Sequence, residues 1–385
     1  MRARWVVGGV AGLVVVAGAV VLLWPGADGP TDPEIAISRS TCGTGWTDPK
    51  PGPQTFRLRN DGSVTAEVDL IDPATGVIYG EVEGLGAGTT RPLQVTLGNG
   101  DYAFRCLPED ASALVGPTST VKGGAERSPG VAPVTKNDLL GPLKAYHQHI
   151  TDALGGLIND TTALKDVVHR GDRAASKAAW LTAHLGYERL GAAYDAFGDL
   201  NGSINGTTDG LPKGTADDGF TGFHRLEYGL WHDEDMGALA AVADQLAVDV
   251  QKLKDTFGDS QVDPNDLGLR AHEIVENALQ FELTARTDYG SGTNLATARA
   301  NLDGTKAVLD VLRPLLEPRY PGLPTVDKWL GRTASDLDRT RRPDGTWTPV
   351  AHLDQHTRQK INGDVSELTE QLAPIAAIAE PRRVS

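Results

Sequence analysis

The sequence predicts a multidomain β plus all-α fold: a small β-sandwich followed by a helical bundle, behind an apolar N-terminal segment. Three observations carry this. The chain has 385 residues, more than one ordinary hydrophobic core accommodates. Short β-branched or alternating runs fill residues 34–122, and apolar residues at helical spacing fill residues 137–380. An uncharged stretch over residues 5–24 precedes both and is long enough to cross a bilayer.

In chain order, residues 1–27 read as a transmembrane anchor or signal segment. Arg2 and Arg4 before the apolar run keep the start of the chain in the cytosol and place everything after Pro25 outside it. The run is longer than a usual signal core and ends without a convincing small-residue cleavage site. An uncleaved anchor is therefore expected, with a cleaved signal and a secreted product as the alternative. Between residues 34 and 122, TFRLRN, TAEVDLID, GVIYGEVEG, RPLQVTLGNG and DYAFRC are short strands separated by Asn-Asp-Gly, Asp-Pro and Asn-Gly turns. Glycine and proline in GGAERSPGVAPV mark residues 123–136 as a linker. Beyond it, alanine- and leucine-rich runs such as AASKAAWLTAHLGYERLGAAYDAF and MGALAAVADQLAVDVQKLKDTF form a bundle of about eight helices.

The formal charge is -15, which argues against nucleic acid or anionic lipid as partner and favours cations. All nine histidines lie in the helical region. His224 and Glu227 are spaced i,i+3, while His184 with Glu188 and His272 with Glu276 are spaced i,i+4, so each pair shares one helix face. Three helices presenting an imidazole and a carboxylate inward would form a mixed N/O pocket suited to iron, zinc or manganese. The glycines at 219 and 222 would free the backbone before the helix, while the apolar Phe223, Leu226, Leu230 and Trp231 would hold the first pair still. The acidic run after His232 reads as a solvated helix end.

The β region has no histidine or methionine, so a His₂Cys-Met copper centre cannot be built there. Cys42 and Cys106 are the only cysteines; a structural disulfide and a secondary Zn(II) or Cu(II) site with nearby carboxylates both remain open. The chain lacks Gly-x-Ser-x-Gly, phosphate-loop, dinucleotide and HExxH motifs, which moves hydrolase and nucleotide chemistry down the list.

GFHRLEYGLW, AHLGYERLGAAYDAFGDLN and HEIVENALQFELTARTDYGSGTNLATARANLDGTK, in this order, resemble the imelysin-like domain of the EfeO family. That family is the extracytoplasmic component of EfeUOB iron-uptake systems. The preceding unit, with cysteines in STCGTGW and NGDYAFRC, resembles the family's cupredoxin-like domain. The resemblance implies a protein that binds Fe(II) or Fe(III) and delivers it to an EfeU-type permease in concert with an EfeB-type haem peroxidase. Its metal residues fall on His224, Glu227 and Glu188, with Glu276 as a further carry-over. Where the family often carries an aspartate, Asn201 and Asn205 occupy the region, with Asp209 as a nearby substitute. The domain is also catalogued as a metallopeptidase, and that activity is the alternative function. A purely structural surface module would leave the three His/Glu pairs without a role.

Overall fold

The computed structural model describes residues 32–260 and 262–385. The expected anchor or signal over residues 1–27 lies outside them. Among the described residues, no helix is long and apolar enough to cross a membrane.

The first region contains β1 (Glu34–Ile37), β2 (Gly52–Asn60), β3 (Ala66–Ile71), β4 (Ile78–Leu85), β5 (Thr90–Leu97), β6 (Gly100–Pro108), β7 (Leu114–Val115) and β8 (Ser119–Val121). One sheet has the order β1-β2-β5, with β1 parallel to β2; the other runs β4-β3-β6-β7, with β8 also on β6. Alternation explains which face goes inward. In β2, Phe56 and Leu58 are buried while Arg57 and Arg59 face solvent. Leu93, Val95 and Leu97 do the same for β5, and both sheets share one core with Val68, Leu70 and Phe104. Trp46 stands edge-on to Phe56 and Phe104, with ring centroids 5.3 and 5.0 Å away.

Cys42 and Cys106 form a disulfide with Cα atoms 5.7 Å apart. Both thiolates are consumed by that bond, which excludes the secondary Zn(II) or Cu(II) thiolate site.

The expected linker is tied down rather than loose. Val131 pairs with Ile78, and the Arg127 guanidinium donates to Asp72 and lies over the rings of Tyr79 and Tyr102. Thr135 and Asp138 then form a reciprocal capping box that starts the first helix.

The second region has ten α-helices among the described residues, two more than the expected eight. They are α1 (Lys136–His169), α2 (Arg173–Glu188), α3 (Tyr194–Phe197), α4 (Asp199–Asn205), α5 (Gly222–Trp231), α6 (Met236–Phe257), α7 (Pro264–Asn277), α8 (Asn294–Leu316), α9 (Leu323–Asp338) and α10 (Gln355–Ala379). The excess comes from short pieces: Gly198, at φ +55°, breaks one apolar run into α3 and α4. A π-helical turn, Ala278–Glu282, continues α7 and is marked by the five-residue bond from the Leu283 N–H to the Ala278 carbonyl. The helices bury one continuous core separate from that of the sheets.

Candidate metal centre

Three local features bring the site together. Gly222 starts α5 at φ +72°, where a Cβ would stand 2.1 Å from the Ile204 carbonyl oxygen, so only glycine lets α5 abut the end of α4. Trp180 on α2 donates its indole N–H to the Phe223 carbonyl at 2.9 Å, locking α2 to α5. The π turn then adds its own side chain opposite both. Glu188, His224 and Glu282 converge on one cavity of about 170 Å³, with Tyr194, Asn205, Phe281 and Asn301 among its walls.

Glu188 ends α2 in a dense set of donors. Its Oε1 accepts from Asn205 Nδ2 at 2.8 Å and its Oε2 from Asn301 Nδ2 at 2.9 Å. His184 Nε2 is 3.1 Å from Oε1 but off the N–H direction, so this is a close polar contact rather than a hydrogen bond. Burial alone would raise the Glu188 pKa; His184 and the two amides outweigh it and hold the carboxyl at about 2. Glu282 is the opposite case. It accepts from Thr287 Oγ1 at 2.7 Å and Asn294 Nδ2 at 2.8 Å, yet burial, reinforced by the charge on Glu188, lifts it to about 7.

His224 is 4% exposed, and its Nδ1 lies 3.2 Å from Glu227 Oε2. Glu227 sits behind the ring, 1% exposed, and does not line the cavity. Its Oε1 accepts the backbone N–H groups of Tyr289 at 3.1 Å and Ser291 at 3.0 Å. Burial pushes its pKa up, but His224 and, after it, the Ser291 side chain prevail and lower it.

The expected set therefore divides. The structure brings His224, Glu227 and Glu188 together and adds the buried ring of His184, whose centroid is 5.3 Å from that of His224. Glu276 does not join them. Its side chain is 42% exposed, accepts from Gln280 and stands 3.9 Å from His272, because it projects from the far side of α7 relative to the cavity-lining Ile274 and Asn277. Asp209 is also absent from the cavity and pairs with Arg286 at the surface. Of the two asparagines, Asn205 reaches Glu188 while Asn201 accepts from the Tyr187 hydroxyl. The acidic run after His232 is structural: Glu234 pairs with Arg225, and Asp235 caps α6. Glu282 was missed. Its sequence signal was a glutamate in QFELTARTDYGSG without a histidine at helical spacing.

A larger hollow of about 400 Å³ between α9 and α10 contains Asp336, but Lys360 and Arg339 already pair with that carboxylate. Its other carboxylate, Asp354, caps α10 and accepts from the Thr357 N–H and hydroxyl.

The model of the Imelysin family, labelled as a peptidase family, matches residues 142–375. The chain belongs to the imelysin family. The matched span contains every cavity residue named above. This imelysin is also 28% identical over 334 residues to the iron uptake system component EfeO of Escherichia coli O157:H7, covering 85% of this chain and 86% of that one. It is 28% identical over 306 residues to EfeO of Yersinia pseudotuberculosis serotype I and 29% identical over 307 residues to EfeO of Yersinia pestis; each match covers 78% of this chain and 79% of the relative. These matches extend beyond the imelysin segment into the β region, in agreement with the EfeO resemblance read from the sequence.

Proposed function

We propose that this chain is the extracytoplasmic iron-binding component of an EfeUOB-type uptake system. Iron enters the helical cavity as cargo, is held through Glu188, His224 and Glu282, and passes to an EfeU-type permease working beside an EfeB-type haem peroxidase. The observation that carries this reading is the convergence of two buried carboxylates and one imidazole on a single small cavity. Carboxylate oxygen and imidazole nitrogen together suit iron. The names of the relatives supply the direction of transport, and the apolar run over residues 5–24 supplies the extracytoplasmic placement.

The peptidase label favours a second reading, a metal-dependent hydrolase. Such chemistry needs a general base within reach of a metal-bound water. Glu227 faces the His224 ring and two backbone amides rather than the cavity, and with Glu188 and Glu282 both holding the metal no carboxylate named among the cavity's walls is left to act as base. Cargo binding fits these contacts better than turnover.

The test is iron stoichiometry and Fe(II) and Fe(III) titration of the full chain beside a Glu188→Gln/Glu282→Gln variant. The variant is expected to bind roughly 100-fold more weakly or worse, about 2.7 kcal/mol, with its thermal transition retained. Unchanged iron binding in a folded variant would remove the cavity from the transport role.

A further inference from the structure

We propose that Glu227 is a positioning residue that fixes His224 as the Nδ1–H tautomer, leaving the ring's Nε2 lone pair as the atom offered to a cation in the cavity. This rests on the cargo-site reading above.

An ionised carboxylate only accepts hydrogen bonds. Glu227 Oε2 lies 3.2 Å from His224 Nδ1, so the ring nitrogen in that bond is the donor. In a neutral imidazole the other nitrogen then carries the lone pair. Glu227 cannot readily swing away to become a ligand itself, because its other oxygen is gripped by the Tyr289 and Ser291 amides.

The loop that supplies those amides is folded for the task. Asp288 Oδ1 accepts from the Gly290 N–H at 2.9 Å and the Gly292 N–H at 3.0 Å, curling the backbone so that the two intervening donors face Glu227. Gly290 has φ +128°, and a Cβ there would stand 2.8 Å from the Trp231 Cβ. The carboxylate, imidazole and cavity therefore lie in series, the arrangement by which an outer carboxylate orients a metal-binding histidine.

Glu227→Gln makes the idea testable with almost no change in shape. The Tyr289 and Ser291 amides would keep the carboxamide oxygen on their side, which turns its NH₂ toward His224. Nδ1 then becomes the acceptor, and the ring proton moves to Nε2.

The measurement is proton–nitrogen correlation NMR of the metal-free full-length protein, labelled with ¹⁵N in its histidine rings, near pH 7.5. The His224 signals are assigned by their loss in His224→Gln. The expected result is Nδ1–H with bare Nε2 in the parent and the reverse in Glu227→Gln, with Fe(II) affinity down roughly 10- to 100-fold. Cu(II) bound to the parent should show imidazole nitrogen couplings in its electron paramagnetic resonance spectrum, and these should be lost in Glu227→Gln. An Nε2–H tautomer or an imidazolium in the parent, or an unchanged tautomer in the variant, would overturn the proposal. So would nitrogen coupling that persists in Glu227→Gln while affinity falls, since Glu227 would then be the ligand. The tautomer is read without metal, so failure of iron binding in the parent would sink the cargo reading and leave the tautomer result standing.

Discussion

Glu188 and Glu282 are the same functional group at opposite ends of its range, one held ionised down to about 2 and the other lifted to about 7. The His184 imidazole and two amides outweigh burial at the first; burial beside an existing negative charge governs the second. A cation competes with the proton on Glu282. Below about pH 7 that carboxyl is protonated in the empty cavity, so each further unit of acid should weaken Fe(II) binding roughly tenfold. Titrations from pH 5.5 to 8 should show this slope in the parent and a flatter, weaker profile in Glu282→Gln. Equal slopes in the two proteins would assign the proton to another group. The sequence made half of this readable. His184 with Glu188 and His224 with Glu227 were visible because helical spacing puts each pair on one face. Which member of a pair reaches the cavity was not visible, because it depends on the Tyr289 and Ser291 amides some sixty residues away.

At the scale of the element, the π turn is the feature that periodicity concealed. Helical spacing paired His272 with Glu276, but Ala278–Glu282 widens the helix at its end, and Glu282 rather than Glu276 reaches the cavity. The strands were easier, because alternation and turn chemistry announced β2 through β6. What the strand pattern did not announce is the charge on β3. Asp69 is fully buried and paired with Arg105 at 2.7 Å, and Glu67 lies close to the carboxylates of Glu81 and Glu83. Burial, then like-charge neighbours, raise Glu67 to about 7; burial raises Asp69 to about 6 despite Arg105. In the unfolded chain both ionise near 4, so between pH 4 and 7 the folded sheet binds more protons than the unfolded chain. Stability of the β region should therefore fall as pH rises through that window and level off above it. Urea midpoints at pH 4.5 and 7.5 check the sign, and Glu67→Gln should narrow the difference between them.

At the scale of the whole molecule, two hydrophobic cores coexist in one chain, as length and the change of texture after residue 136 predicted. The disulfide belongs to only one of them. Closing a loop across a sequence separation of 64 residues is worth about 4 kcal/mol by chain entropy. Replacing both cysteines with alanine should lower the melting transition of the β region while leaving iron stoichiometry and the helical transition in place. Loss of iron binding in that variant would tie the cargo to the β region instead.

The chain also returns to where its helical part began. Val134, just before α1, pairs with Pro381, just after α10; the Arg382 N–H donates to the Val134 carbonyl, and the Arg382 guanidinium grips Glu81 on β4. Topologically, the helices form a closed purse whose drawstring is tied at the sheet. A pull applied between β1 and the C-terminus would load this knot before any helix, so the cavity is mechanically bypassed until the Val134 and Arg382 contacts give way.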